Sequence, residues 1–255
     1  MHQRTSHWIT LVLLLIKRDL KIRYRGSVLG YLWSMLNPLL MMSVLTFVFS
    51  FAMKVEMPHY PVYILSGLLG WNLFAQSANL GVRCFIDNAA LLKKVRVPSW
   101  VFPTATIGSA CIHTLLSLIP YFVIAYLTGL SFHWGLIQLP LLLFVFFVFT
   151  EGVVLAISSL NVFFRDIGHV MEPMLQLLFY ATPVIYPLHV LPERYQKIIK
   201  ANPMTHFMDG FRSTLYSTEF MGLSEWMFLA LVAALSLVVG SLIYMKSRDR
   251  FLYHI

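Results

Sequence analysis

The sequence predicts an all-α polytopic membrane protein. Six transmembrane helices are expected, with an N-terminal amphipathic interface helix and short re-entrant helices on the outer side before the last span. Three observations carry this. Apolar residues make up 58% of 255 positions and charged residues only 12%, with a mean hydropathy of +0.74. Soluble domains run near 25% charged, so a soluble enzyme, a disordered tail and a coiled coil are excluded. Six stretches, nearly free of charge, match the roughly 20 apolar residues a helix needs to cross a bilayer. Lys and Arg also gather in alternate connections between those stretches.

In chain order, residues 8–16 are apolar but too short to cross. Lys17-Arg18-Asp19 follows where a cleavable signal would carry small residues, so no signal peptide is read there. The stretch continues to Arg25, half apolar and half basic, which suits a helix lying in the headgroup plane. The spans are expected at 28–53, 61–82, 101–128, 135–162, 169–186 and 225–245. Five tryptophans (Trp8, Trp33, Trp100, Trp134 and Trp226) fall at span or segment ends, at headgroup depth, while Trp71 sits mid-span. With no internal repeat, residues 1–255 read as a single transmembrane domain.

Two connections stand out. Residues 85–97 read as a short helix stopped by Pro98. Leu91, Leu92 and Val95 there supply apolar area for docking a partner, beside Lys93, Lys94 and Arg96; the alternative is a solvated basic loop. Between Tyr186 and Glu225, Pro192 and Pro203 each suit the first turn of a helix. The resulting helices, within 192–215, are too short to cross and can dip into the bilayer only if packed on protein. They are read as an outer lid carrying Tyr186, Phe207, Asp209, Phe211 and Arg212, with Asp209 and Arg212 a possible pair. The alternative is a loop resting on headgroups.

Orientation follows from the charges. Nineteen Lys and Arg against eleven Asp and Glu give +8. Fourteen of the basic residues fall on the side of both termini and five opposite, which places the termini in the cytoplasm. The excess is thus a membrane signature; no basic run carries a nucleic-acid reader motif. Cys84 and Cys111 form neither a metal nor a redox spacing.

Chemistry is sparse within the spans. Asn72, Gln76, Asn79 and Arg83 recur at i, i+4, i+7 and i+11, on one helical face beside Trp71. Amides facing lipid would lack partners, at several kcal/mol each. They therefore either bond between helices or line a polar conduit, and amides beside rings suit sugars. Glu151 lies deep in a span, with His113 as the one titratable partner another span offers. An acid bonded to a neighbouring helix is the plainer reading. No phosphate loop, H-E-x-x-H or G-x-S-x-G occurs, so P-loop ATP hydrolysis is not read here, and a partner is expected to supply the energy if anything is moved uphill.

Several segments resemble a known family. They are Arg18–Pro38, Tyr63–Asn72, Asn88–Lys94, Leu160–Ile167, Thr182–Pro187, and Asn202–Met204 with Gly210–Arg212. In that order and spacing they are similar to the permease subunits of type-2 ABC exporters for cell-surface polysaccharides such as O-antigen, capsule or teichoic acid precursors. Gly70 departs from the family, which often has proline there. The resemblance implies a homodimer of six-span subunits with two ATPase subunits that bind ATP and Mg, leaving no cofactor and no enzymatic centre on this chain. It implies an interface helix at about 6–25 and a coupling helix at 85–97, where Asn88, Leu91, Leu92, Lys93 and Lys94 would meet the ATPase. A lipid-linked glycan of undecaprenyl type would bring its diphosphate to Arg18, Lys21, Arg23 and Arg25. The glycan would then slide past Trp71, Asn72, Gln76 and Asn79. A permease for a drug or small lipid is the alternative within this class. A membrane enzyme on polyprenyl lipids and a scaffold without transport are others.

Overall fold

The structure is a computed structural model that describes residues 2–49, 57–95, 97–131, 133–217 and 220–251. It is helical throughout, with no strand among the described residues. The helices are α1 (His2–Arg23), α2 (Leu32–Phe47), α3 (Tyr60–Gly81), α4 (Cys84–Asp87), α5 (Ala89–Lys94) and α6 (Val101–Leu127). After a short 3-10 turn come α7 (Leu139–Phe163), α8 (Asp166–Tyr180), α9 (Glu193–Lys200), α10 (Pro203–Leu215) and α11 (Leu223–Ser247). Among the described residues, three helical segments are long and apolar enough to cross a membrane: Val101–Leu127, Trp134–Phe163 and Leu223–Arg250. α2 is a shorter apolar helix, and the expected end of its span, 50–53, lies outside the described residues.

Several bounds differ from the sequence reading, each for a local reason. α2 starts at Leu32 rather than 28 because Gly26 and Gly30 take φ of 76° and 50°, a left-handed turn that glycine adopts without strain. α8 ends at Tyr180 rather than 186, since Pro183 disfavours helical backbone at the preceding Thr182. The single helix expected at 85–97 is two, α4 and α5. Asn88 breaks it with its own side chain, whose Nδ2 donates to the Cys84 carbonyl at 2.8 Å. Such local bonding is how asparagine competes with helix.

The main core gathers where α3, α6, α7 and α10 meet. Phe74, Phe146, Phe149, Phe207 and Phe211 form a continuous set of ring contacts there, centroids 4.8–6.5 Å apart. A second core joins Leu15 of α1, Phe85 of α4, Phe102 of α6, Leu155 of α7, Tyr244 of α11 and Phe251. It ties the two ends of the chain to the segment between α3 and α6. α7 and α11 pack backbone to backbone: a Cβ added at Gly240 would stand 2.0 Å from the Gly152 carbonyl oxygen. Ser236, one turn earlier, donates to the Phe149 carbonyl at 2.8 Å. Small residues four apart are the usual means of bringing apolar helices this close.

Candidate functional site

The amide face of α3 opens into a chain of clefts. Gln76 and Asn79 line one of about 390 Å³ together with Arg23, Tyr24, Asn37 and His113. Asn72 and Gln76 line a narrow continuation past Asn37, His113, Thr114 and Ser117. Asn72 also lines a third cleft, about 280 Å³, whose other walls include Trp71, Gln176, Phe179 and Tyr180. One row of amides thus runs from the end of α1, along α2 and α6, to the rings of α8. Trp71 is itself nearly buried, edge-on to Phe179 at 5.3 Å between centroids. Hydroxyls and amides beside rings in a partly wet groove suit a polyol, whose hydroxyls need partners and whose carbon faces need rings.

At the other end lies a cleft of about 530 Å³, lined by Arg18, Asp19, Arg23, Asp87 and Asn88 among others. The two arginines there differ. Arg18 is committed: its Nε and Nη2 donate to Asp19 Oδ1 at 3.0 and 2.8 Å, and its Nη1 to Asn88 Oδ1 at 2.8 Å. Arg23 donates Nη1 to Gln76 Oε1 at 2.8 Å and stands exposed between this cleft and the first amide cleft. Lys21 and Arg25 are exposed and line none of these clefts. Burial raises the Asp87 carboxyl above the usual range, against the opposing pull of Arg83. Burial likewise raises the Tyr24 hydroxyl, with Arg23 working the other way. That hydroxyl bonds His113 Nε2, fastening the end of α1 to α6.

Residues 10–216 match the family of ABC-2 type transporters. The chain belongs to that family. The O-antigen export system permease protein RfbA of Klebsiella pneumoniae is 33% identical, covering 98% of this chain and 97% of its own. RfbA of Myxococcus xanthus is 33% identical over 94% of each chain. The polysialic acid transport protein KpsM of Escherichia coli is 24% identical over 93% of each.

In this ABC-2 chain the remaining sequence candidates fall into two groups. Asn88 sits at the α4–α5 break, bonded to Arg18. Leu91 and Leu92 are half-buried against the second core, so the chain itself covers much of their apolar area; Lys93 and Lys94 stay exposed. Phe207 and Phe211 are fully enclosed in the main core and line no cleft described above. Arg212 is 7% exposed, its Nη2 donating to the Pro183 and Val184 carbonyls and its guanidinium 4.1 Å from the Tyr63 ring centroid. Asp209 approaches it at 3.5 Å. Tyr186 donates to the Tyr180 carbonyl at 2.9 Å. Glu151 accepts from Thr104 Oγ1 at 2.9 Å, while His113 faces Tyr24, so these two titratable groups do not meet.

Sequence reasoning missed Tyr24, Asn37 and Gln176, and placed His113 only as a partner for Glu151. Tyr24 and Asn37 both lie within Arg18–Pro38, the first segment that carries the resemblance, a signal that could have been read. Gln176 gave none, since only packing of α8 on α3 brings it to Asn72.

Proposed function

We propose that the chain is the permease subunit of an ATP-driven exporter that moves a lipid-linked polysaccharide, O-antigen- or capsule-like, across the cytoplasmic membrane. Two copies form the channel, each with six crossings and both termini cytoplasmic. Two separate ATPase subunits bind ATP and Mg. The observation that carries this reading is the amide row Asn72–Gln76–Asn79, continuous with the Trp71–Tyr180 cleft, in a chain aligned end to end with O-antigen permeases. Amides in open clefts cannot face lipid. Water, glycan and the second copy together answer that requirement. α9 and α10 are the outer re-entrant pair, and the burial of α10 against α3 and α7 supports that place.

The step itself needs many weak contacts rather than one tight site, because the glycan must slide. Closure of the ATPases would push on α4 and α5. These share a core with α1, α6, α7 and α11, so the push reaches the crossing helices as one body. On the outer side, Phe207 and Phe211 are too enclosed to swing alone; opening there requires α10 and the turn bonded to Arg212 to move together.

In a strain lacking the chromosomal gene, Asn72→Leu with Gln76→Leu is expected to abolish surface glycan while leaving the protein in the membrane. Unchanged surface glycan sinks the conduit. Among the entrance cations, Arg23→Ala is expected to lower export more than Lys21→Ala, since Arg23 alone of the two faces both clefts. Arginine favours phosphate through its planar fork. Equal losses in the two variants would mean that only net charge counts.

A further inference from the structure

Two asparagines frame α8. Asn161, 1% exposed in the last turn of α7, donates Nδ2 to the Val82 carbonyl and accepts the Gly168 N–H at Oδ1, each at 2.9 Å. Val82 caps the end of α3, and Gly168 lies in the first turn of α8. A helix leaves its last carbonyls and first N–H groups without partners of its own. One buried amide therefore serves an end of each helix, sharing the Gly168 N–H with the Arg165 carbonyl at 3.1 Å. Asn202 repeats the device at the far end. Its Oδ1 accepts the Met204 N–H of α10 at 3.0 Å, and its Nδ2 donates to Thr182 Oγ1 at 2.9 Å, just beyond α8. α8 is thus a strut held at both ends by side-chain amides.

The near tie stands at a crossing of two segments. α3 ends at Gly81 and α4 begins at Cys84, so Asn161 grips the chain where the docking segment leaves α3. At Gly168 a Cβ would lie 3.1 Å from Asn161 Oδ1 and 3.2 Å from Arg83 Nε, so glycine keeps Arg83 within reach of the same turn. From there α8 runs to Gln176, Phe179 and Tyr180, which wall the cleft beside Trp71. The Trp71–Phe179 contact higher up is apolar and tolerates sliding; the two hydrogen bonds of Asn161 fix direction as well as distance.

We propose that Asn161 is a positioning residue for transport, passing displacement of the α4–α5 segment to α8 and so to the wall of the substrate cleft. The proposal rests on the exporter reading above. Its role is distinct from holding the fold, because it predicts that hydrolysis and export separate.

The test uses the full complex of this chain with its ATPase subunits, reconstituted in lipid. Assembly, ATP hydrolysis and glycan export are measured per assembled complex. Asn161→Asp keeps an acceptor for Gly168 and, when ionised, has no hydrogen for Val82. It is expected to assemble and hydrolyse ATP near the wild-type rate while export falls about tenfold, an ordinary coupling magnitude. Asn161→Leu loses both bonds and is expected to show the same split, at least as large. Wild-type export by the aspartate variant overturns the proposal. So does a parallel fall of assembly, hydrolysis and export in both variants, which would make Asn161 a fold determinant only. A wild-type complex that hydrolyses no ATP and exports nothing would instead defeat the exporter reading itself.

Discussion

Gly240→Leu is expected to remove the stably folded chain from the membrane. The α7–α11 contact leaves no room for any side chain at this point. A Cβ at Gly240 meets the Gly152 carbonyl oxygen at 2.0 Å and its carbon at 2.8 Å. A Cβ at Gly152 in turn meets the Ser236 carbonyl carbon at 2.2 Å. These are backbone atoms on both sides, so no flexible side chain can yield and the helices must part. Overpacking of an ordinary core costs about 1–3 kcal/mol because neighbours adjust; here the cost exceeds that range. Separation is serious in lipid, where helices associate by close packing and no hydrophobic force drives them together. Val239, the preceding residue, is 53% exposed toward the outside of the bundle. Val239→Ala is therefore the matched control and should be nearly silent. Size-exclusion profiles of the detergent-extracted, fluorescently tagged chain distinguish the two. A monodisperse peak of normal height from Gly240→Leu would show that α11 does not sit on α7 as described.

Some of this structure is legible in the sequence, and the reasons are local. α6 occupies Val101–Leu127 against an expected 101–128, because Pro98 stands just before it and Gly129, at φ 78°, turns the chain just after. The amide row is legible because helical spacing alone puts Asn72, Gln76 and Asn79 on one face. Other features depend on partners far away in the chain. Asn161 lies 79 residues from the carbonyl it bonds, and Tyr24 lies 89 from His113. No window of local sequence holds both ends of such a bond. Leu91 and Leu92 show the same limit. Their apolar character fits a partner's surface, and only the folded chain shows that part of it packs on the core shared with α1 and α11. The break at Asn88 falls between these cases. Asparagine's habit of bonding its own backbone is a local rule, but the residues around it favour a continuous helix.

Arg212→Met is expected to lower the thermal midpoint of the solubilised chain far more than Asp209→Asn, although the two residues face each other. Methionine fills much of the same volume, so lost bonding decides the result. Arg212 Nη2 donates to the Pro183 and Val184 carbonyls, in a turn held also by Tyr60, whose hydroxyl donates to the Ile185 carbonyl at 2.8 Å. Gly67 allows that turn to sit against α3, since a Cβ there would meet the Val184 carbonyl oxygen at 2.6 Å. Without the guanidinium both carbonyls lose their donor, at about 1–3 kcal/mol for each group left buried and unpaired. The stacking on Tyr63 is lost as well, worth about 2 kcal/mol in a desolvated site. Asp209 is different. Its side chain is 54% exposed and its contact with Arg212 is 3.5 Å, so water replaces the partner. Ion pairs of that kind contribute about 0–1 kcal/mol. Arg212→Lys falls between, because an ammonium can still donate to the carbonyls but cannot lay a planar guanidinium on the Tyr63 ring. The expected order of destabilisation is Asp209→Asn, Arg212→Lys, Arg212→Met. If Asp209→Asn proved as damaging as Arg212→Met, the ion pair and not the carbonyl clamp would be what holds α10 to the turn beyond α8.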